Sequence, residues 1–349
     1  MKKVFAIAAA IALLGLSIAA QAITIDTVTV GNPGNTGELS GESAGEDAGG
    51  MGPDKICGSV SYTYNIGKYE VTAGQYTAFL NAKAATDNYG LYNASMDTAV
   101  SSYGCNIKRS GSSGSYTYSV ASDWANRPVN YVSYWDSCRF ANWLGNGQGT
   151  GSTETGAYTL DGYNDIDGRT IQRNAGATWA VTSEDEWYKA AYYKGGSTNA
   201  GYWLFPTQSD YWWQPGWDMA DASGNNANYY NIYIYPGDGY LIGSPYYRTE
   251  VGEFQNSDSA YGTFDQGGNV FEWNEAIVYQ DASYAYRGLR GGSFIDPEFP
   301  LQSSVRTGGD PYLEDYSIGF RVSQVPEPSS IVALLGGLAG LIGLKRRKA

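Results

Sequence analysis

Apolar positions recur at helical spacing in three stretches, and each stretch opens on a helix-capping residue. Thr72-Ala73-Gly74-Gln75 has the spacing of a capping box, in which two side chains satisfy free backbone amides reciprocally, and Tyr76, Phe79, Leu80 and Lys83 follow at helical intervals. Ser133 precedes Tyr134-Trp135-Asp136, after which Phe140, Trp143 and Leu144 mark a buried stripe. Ser183-Glu184-Asp185-Glu186 is the cleanest box, and Trp187, Ala190 and Ala191 behind it face a core. Alternation over Ile23-Thr24-Ile25-Asp26-Thr27-Val28 predicts a strand, and the Gly, Asn, Ser and Glu of residues 31–53 predict a long loop. After Gly195 few periodic runs exceed five residues, so this half is expected to bury its core beneath loops.

The two ends differ from the rest. Met1-Lys2-Lys3, an apolar run from Val4 to about Leu16 and Ala20-Gln21-Ala22 make residues 1–22 a secretory signal, with cleavage expected after Ala22. At the other end Val325-Pro326-Glu327-Pro328 leads into fourteen apolar or glycine residues, Ile331 to Leu344, and then Lys345-Arg346-Arg347-Lys348. As a helix that run reaches only ~21 Å against a hydrocarbon core of ~30 Å, so it reads as a transient stop in the membrane with its basic cluster cytoplasmic. This three-part tail, residues 325–349, resembles the PEP-CTERM sorting signal through Pro326, Glu327 and Pro328, the apolar stretch and the basic end. The resemblance implies processing by an exosortase and delivery to the cell surface or extracellular polysaccharide matrix of a Gram-negative-type bacterium. A retained single-span anchor is the alternative. Between the ends, residues 23–324 show no dividing linker and no internal repeat, so one domain is expected.

Composition narrows the partners. Taking the six basic residues of the two ends from the 22 leaves 16 against 35 acidic side chains, about −19 with every acid retained. Nucleic acid is thereby disfavoured, and neutral sugars, or calcium as a bridge, suit such a surface better than acidic polysaccharide. Of Cys57, Cys105 and Cys138 two can pair in an oxidising compartment; spacing does not choose the pair, and Cys57 with Cys105 is the expectation because Cys138 falls on a predicted helix. None of the spacings is that of a zinc site.

Six ordered strings resemble the landmarks of the formylglycine-generating enzyme (FGE-sulfatase) family over residues 66–322. They are Ile66-Gly67-Lys68-Tyr69-Glu70-Val71-Thr72 with Gln75-Tyr76, Arg127-Pro128-Val129 with Val132-Ser133 and Asn142-Trp143, Val181-Thr182-Ser183-Glu184-Asp185-Glu186-Trp187, Gly267-Gly268-Asn269-Val270-Phe271-Glu272-Trp273, Arg290-Gly291-Gly292-Ser293-Phe294 and Gly319-Phe320-Arg321. The resemblance implies an α+β fold of C-type-lectin-like kind, a small twisted antiparallel sheet with a few helices and much irregular loop. It does not by itself imply an activity.

The family's oxidase holds copper between two cysteines, and counting from Gly291-Gly292-Ser293 those positions fall near Asp296 and Leu301. A carboxylate and an aliphatic chain do not replace two thiolates, so formylglycine generation is disfavoured and no copper is expected. The chain contains no histidine, which removes the iron site of the related sulfoxide synthases and Ser-His-Asp or Cys-His catalysis alike. The resemblance also implies a structural Ca²⁺ on the turn at 265–272, with Asn269 and Glu272 as side-chain ligands, and a second site at Asn228 with Asp238. The alternative is that Asn269 and Glu272 hydrogen-bond the local backbone. Asp161 to Gly168 fails as an EF-hand, because Tyr163 stands where the first ligand belongs, and reads as an acidic turn.

Aromatic residues supply the remaining clue. Trp203, Trp212, Trp213 and Trp217, with Tyr229, Tyr230, Tyr233, Tyr235, Tyr240, Tyr246 and Tyr247, lie in loop-like sequence among Asn, Asp and Gly, and such rings stack on sugars as readily as they fill a core. The expectation is therefore an exported, non-enzymatic binding or structural module facing polysaccharide or a surface protein. Its alternatives are an enzyme using Asp296 and Glu298 as acid and base, and a purely structural matrix component.

Overall fold

The three capping signals become three helices. In the computed structural model, which describes residues 22–44, 49–211, 215–219, 224–232 and 239–325, α1 spans Ala73–Lys83, α2 Tyr134–Gly145 and α3 Glu184–Tyr192. Each begins with a complete capping box, Thr72 with Gln75, Ser133 with Asp136 and Ser183 with Glu186, so the orphan amides of the first turn are satisfied before tertiary packing begins. Every residue of α2 from Tyr134 to Leu144 is buried, which makes it a central helix without a solvent face. Tyr76, Phe79, Phe140, Trp143 and Phe320 meet around it with ring centroids 5.3–6.5 Å apart, mostly edge-on or tilted, with Tyr76 and Phe140 stacked.

Two four-stranded sheets complete the core. One runs in the order Thr27–Val30, Tyr64–Gly67, Val322–Gln324, Trp179–Val181, all antiparallel. The other runs Thr307–Gly309, Ala285–Arg290, Phe271–Gln280, Ile318–Phe320, and its last pair is parallel. The arrangement is α+β with small sheets, a few helices and much loop, as expected; among the described residues three two-stranded ribbons accompany the two larger sheets. The segment 318–324 joins them: residues up to Phe320 belong to the second sheet, residues from Val322 to the first, and Arg321 is the switch. Its side chain, fully buried, turns inward to Glu272.

Three local expectations are corrected. The first strand begins at Thr27 rather than Ile23, because its partner ends at Gly67 opposite Thr27 and the preceding residues overrun it. Gln148 holds Ile23 instead, accepting from its amide at 2.6 Å and donating to its carbonyl at 2.9 Å. The expected loop at 31–53 contains a short strand, Glu38–Ser40, paired with Lys55–Cys57. The irregular second half contains the longest strand, Phe271–Gln280, hidden from a search for alternation because its register against Ala285–Arg290 shifts twice and residues 272–274 are all buried.

Candidate functional site

The glycines of Arg290-Gly291-Gly292-Ser293-Phe294 turn the chain off the Ala285–Arg290 strand. Gly291 lies at φ +98° and a Cβ there would stand 2.7 Å from the Gln266 carbonyl, so only glycine makes this turn without strain. It delivers Phe294 into a nest of tyrosines from three other loops. Tyr103 lies 4.7 Å from Tyr247 and 5.0 Å from Tyr316, Tyr240 lies 5.1 Å from Tyr247 and 4.9 Å from Tyr230, and Phe294 is 5.8 Å from both Tyr103 and Tyr247. Phe294 is buried beneath, while the five tyrosines are half-buried.

Two buried polar side chains fix these loops. Asn130 donates to the carbonyls of Tyr103 at 2.8 Å and Tyr316 at 2.7 Å, tying together residues 213 positions apart. Arg248 donates to the carbonyls of Tyr103 and Gly104, both at 2.9 Å, with its guanidinium 5.6 Å from the Phe294 ring. Burial pulls the Arg248 pKa down to about 10, still far above neutrality, so it remains a cation under the aromatic layer.

Asp296 follows directly. Its carboxylate accepts from the Ser293 hydroxyl and its carbonyl from the Tyr230 amide at 2.8 Å. Burial raises its pKa, partly offset by Ser293 and reinforced by Asp315. Glu298 does not join it: that side chain stands near Tyr229, with one oxygen buried and unpartnered. Leu301, at the other position counted for a copper thiol, is fully buried against Phe205, Ala227 and Tyr229.

The turn expected to hold calcium is filled by the protein. Glu272 takes both ends of Arg321, each at 2.6 Å, and Trp187 Nε1 at 2.7 Å. Asn269 Oδ1 accepts from Asn228 Nδ2 at 2.7 Å and from the amide and hydroxyl of Thr249 at 3.0 Å. These oxygens are satisfied within the protein, and among the described residues no group of three or more His, Cys, Asp or Glu could hold a metal. Beside them lie Asp265, raised to about 6 mainly by burial, and Glu70, raised further by burial and by Asp265.

The expected disulfide is absent. All three cysteines are free and buried, Cys57 beside Tyr188 and Tyr202, Cys105 and Cys138 in the main core. Burial pushes the Cys57 thiol up to about 11 and raises the other two, which makes all three poor nucleophiles at neutral pH.

Of the tryptophans, Trp203 is half-buried with Lys194 Nζ 4.2 Å from its ring, and Trp217 donates to the Tyr229 carbonyl at 2.7 Å while packing on the core around it. Trp212, Trp213, Asp238, Tyr233, Tyr235, the 1–21 part of the export signal and Pro326, Glu327 and Pro328 lie outside the described residues. Sequence reasoning missed Tyr103 and Tyr316, which only the fold brings to the other tyrosines.

The sulfatase-modifying factor enzyme 1-like domain (FGE-sulfatase) matches residues 41–325. The chain belongs to that family. The PEP-CTERM protein-sorting motif matches residues 324–348, which marks the FGE-like protein as exported, held transiently at the membrane and processed by an exosortase. Similar solved structures include CarF (20% identity, TM-score 0.49, covering 87% of this chain and 99% of that one). They also include variable protein 1 of Treponema denticola (18%, 0.49, 86% and 95%) and PvdO from Pseudomonas aeruginosa (21%, 0.45, 86% and 92%). A search of curated proteins finds no match.

Proposed function

We propose that this exported FGE-family protein is a non-catalytic binding module whose tyrosine face takes a neutral polysaccharide of the cell surface or matrix. The observation that carries the reading is the cluster of five half-buried tyrosines over Phe294, placed by the buried Asn130 and Arg248 and edged by Asp296 and Asp315. Tyrosine faces stack on pyranose rings, hydroxyls and carboxylates at their margin accept sugar hydroxyls, and the acidic surface works against anionic chains. Saturable binding of a neutral glucan or mannan, weakened at least tenfold in Tyr240→Ala and Tyr316→Ala with the melting temperature retained, is the expected result. Failure of every neutral polysaccharide to bind would end the proposal.

A second reading, hydrolysis with Asp296 as the acid, draws on the burial that raises this carboxyl toward neutrality. Release of reducing ends that disappears in Asp296→Asn would establish it, whereas binding without product favours the module.

A further inference from the structure

The hairpin made by the strands Phe271–Gln280 and Ala285–Arg290 ends in three tyrosines. Tyr279 and Tyr286 are register partners across it and Tyr284 stands at its turn; the Tyr279 ring lies 5.6 Å from that of Tyr284 and 5.7 Å from that of Tyr286, and the last two are 5.2 Å apart. Asp281 braces the turn. Its carboxylate accepts from the amides of Ser283 at 2.6 Å and Tyr284 at 3.1 Å, and its own amide donates to the Tyr284 carbonyl at 3.0 Å. Tyr279 is 47% exposed, and among the described residues none of the three rings joins a buried apolar cluster. Tyr312 and Leu313, also exposed, follow the strand Thr307–Gly309, which runs in the same direction as Phe271–Gln280. Aromatic and aliphatic area gathered in water at one end of a sheet is the mark of a contact surface.

The tip lies at the end from which the chain leaves the fold. Strand Ile318–Phe320 runs parallel to Phe271–Gln280, and after Arg321 the chain continues through Val322–Gln324 to Val325. The segment 166–178 touches both places: its Ile166 carbonyl accepts from the Ala285 amide at 3.2 Å and Arg169 donates to the carbonyls of Asp281 and Ala282, while the Thr178 carbonyl holds Val325 at 3.0 Å. From Val325, six residue steps lead to Ile331, where the apolar run of the sorting tail begins, a reach of at most about 22 Å. With that run in the bilayer the fold is confined to the lipid surface, and even a weak contact there acts at high effective concentration. Tyrosine rings, apolar in body and polar at the hydroxyl, settle where headgroups meet hydrocarbon. Charge selects the lipid. Gln280, Ala282 and Ser283 are exposed and uncharged, the Asp281 carboxylate is engaged by the turn, and the chain as a whole is acidic, so the tip suits zwitterionic headgroups better than anionic ones.

We propose that the hairpin tip bearing Tyr279, Tyr284 and Tyr286 is a membrane-docking surface, which rests on a zwitterionic lipid headgroup layer while the sorting tail is inserted. Tail and hairpin then hold the body at two points, which fixes its tilt over the lipid.

The mature full-length chain, reconstituted through its tail in phosphatidylcholine vesicles and carrying a bimane label on Ser283→Cys, tests the contact. The three native thiols are buried, so the label goes to the turn alone. A nitroxide on the lipid headgroup should quench the label roughly two- to threefold more than in the Tyr279→Ser/Tyr284→Ser background, and equally at low and high salt. Ala282→Glu, which keeps the rings and adds a charge to an exposed position, should lower the quenching in the same way with the melting temperature retained. Quenching no stronger than in these variants, quenching confined to phosphatidylglycerol vesicles, or quenching lost as protein density rises at fixed lipid, the sign of a second copy covering the tip, would overturn the proposal. Tyr240→Ala should leave the quenching unchanged, whereas loss of polysaccharide binding in Tyr279→Ser/Tyr284→Ser would assign the tip to the sugar and overturn it as well.

Discussion

Replacing Arg321 with methionine takes the cation from Glu272 while keeping a chain of similar length. Both side chains of this pair are fully buried, and the guanidinium also donates to the carbonyls of Gly67 and Phe264 at 3.0 Å. What remains in the variant is a carboxylate with one neutral donor, Trp187, facing Glu70 and Asp265 with no positive charge among them. Stripping one member from a buried pair costs about 3–5 kcal/mol. For a folding unit of roughly 300 residues the unfolding entropy is about 0.6 kcal/mol per degree, so the melting temperature should fall by about 5–8 °C. The deficit depends on pH with a definite sign. Burial already raises Asp265 and Glu70 and Arg321 opposes that rise, so without the arginine both carboxyls move further up, and the variant is best tolerated at low pH, where they are protonated, and loses ground as pH rises; the loss at pH 8 should exceed that at pH 5. The double variant Glu272→Gln/Arg321→Met removes both charges and should recover about 2 kcal/mol relative to the sum of the single losses. Scanning calorimetry of the four proteins, with and without a chelator, reads all of this. A loss under 1 kcal/mol in Arg321→Met, strict additivity, or a chelator that lowers the wild-type melting temperature as far as the substitution does would refute the reasoning, the last by showing calcium in the role assigned to Arg321.

Three other outcomes follow from the geometry. The native protein should leave its three thiols untouched by a thiol-specific dye at pH 7.5 and release all three in denaturant, since each is buried and unpaired. Glu314, raised to about 8 by burial and by Asp136, with Asp87 adding to it and an Asn93 hydrogen bond opposing, favours folding below pH 4.5 and loses that advantage as pH rises through about 8; Glu314→Gln should therefore raise the melting temperature at pH 9 relative to wild type and shift it little at pH 5. Gly291→Ala, which places a methyl 2.7 Å from a backbone oxygen at positive φ, should cost about 2–4 kcal/mol and broaden the near-ultraviolet signal of the tyrosines, both measurable by circular dichroism.

What could be read from the chain was whatever is local. A capping box spans four residues, so Thr72, Ser133 and Ser183 announced their helices directly, and the charged, apolar and basic blocks of the tail needed no folding to be seen. The roles of the arginines were out of reach because Arg321 finds its acid 49 positions away and Arg290 finds Glu184 at a separation of 106. For the same reason the tryptophans looked like the ligand face while Tyr103 and Tyr316 did not: aromatic density marks a loop, but only Asn130, bridging two distant carbonyls, decides which rings share a surface. The cysteines misled because an oxidising compartment permits a bond that the core does not bring together.

The strand Val322–Gln324 is bonded on both sides within its sheet, Val325 is still held by the Thr178 carbonyl at 3.0 Å, and the sorting motif begins at residue 324. The tail is thus rooted in the middle of the sheet: one peptide step of about 3.6 Å separates the last bonded residue, Val325, from Pro326. Any tug on that tail is a load on two hydrogen-bonded seams at once, so pulling the domain away by force would require unzipping the sheet itself.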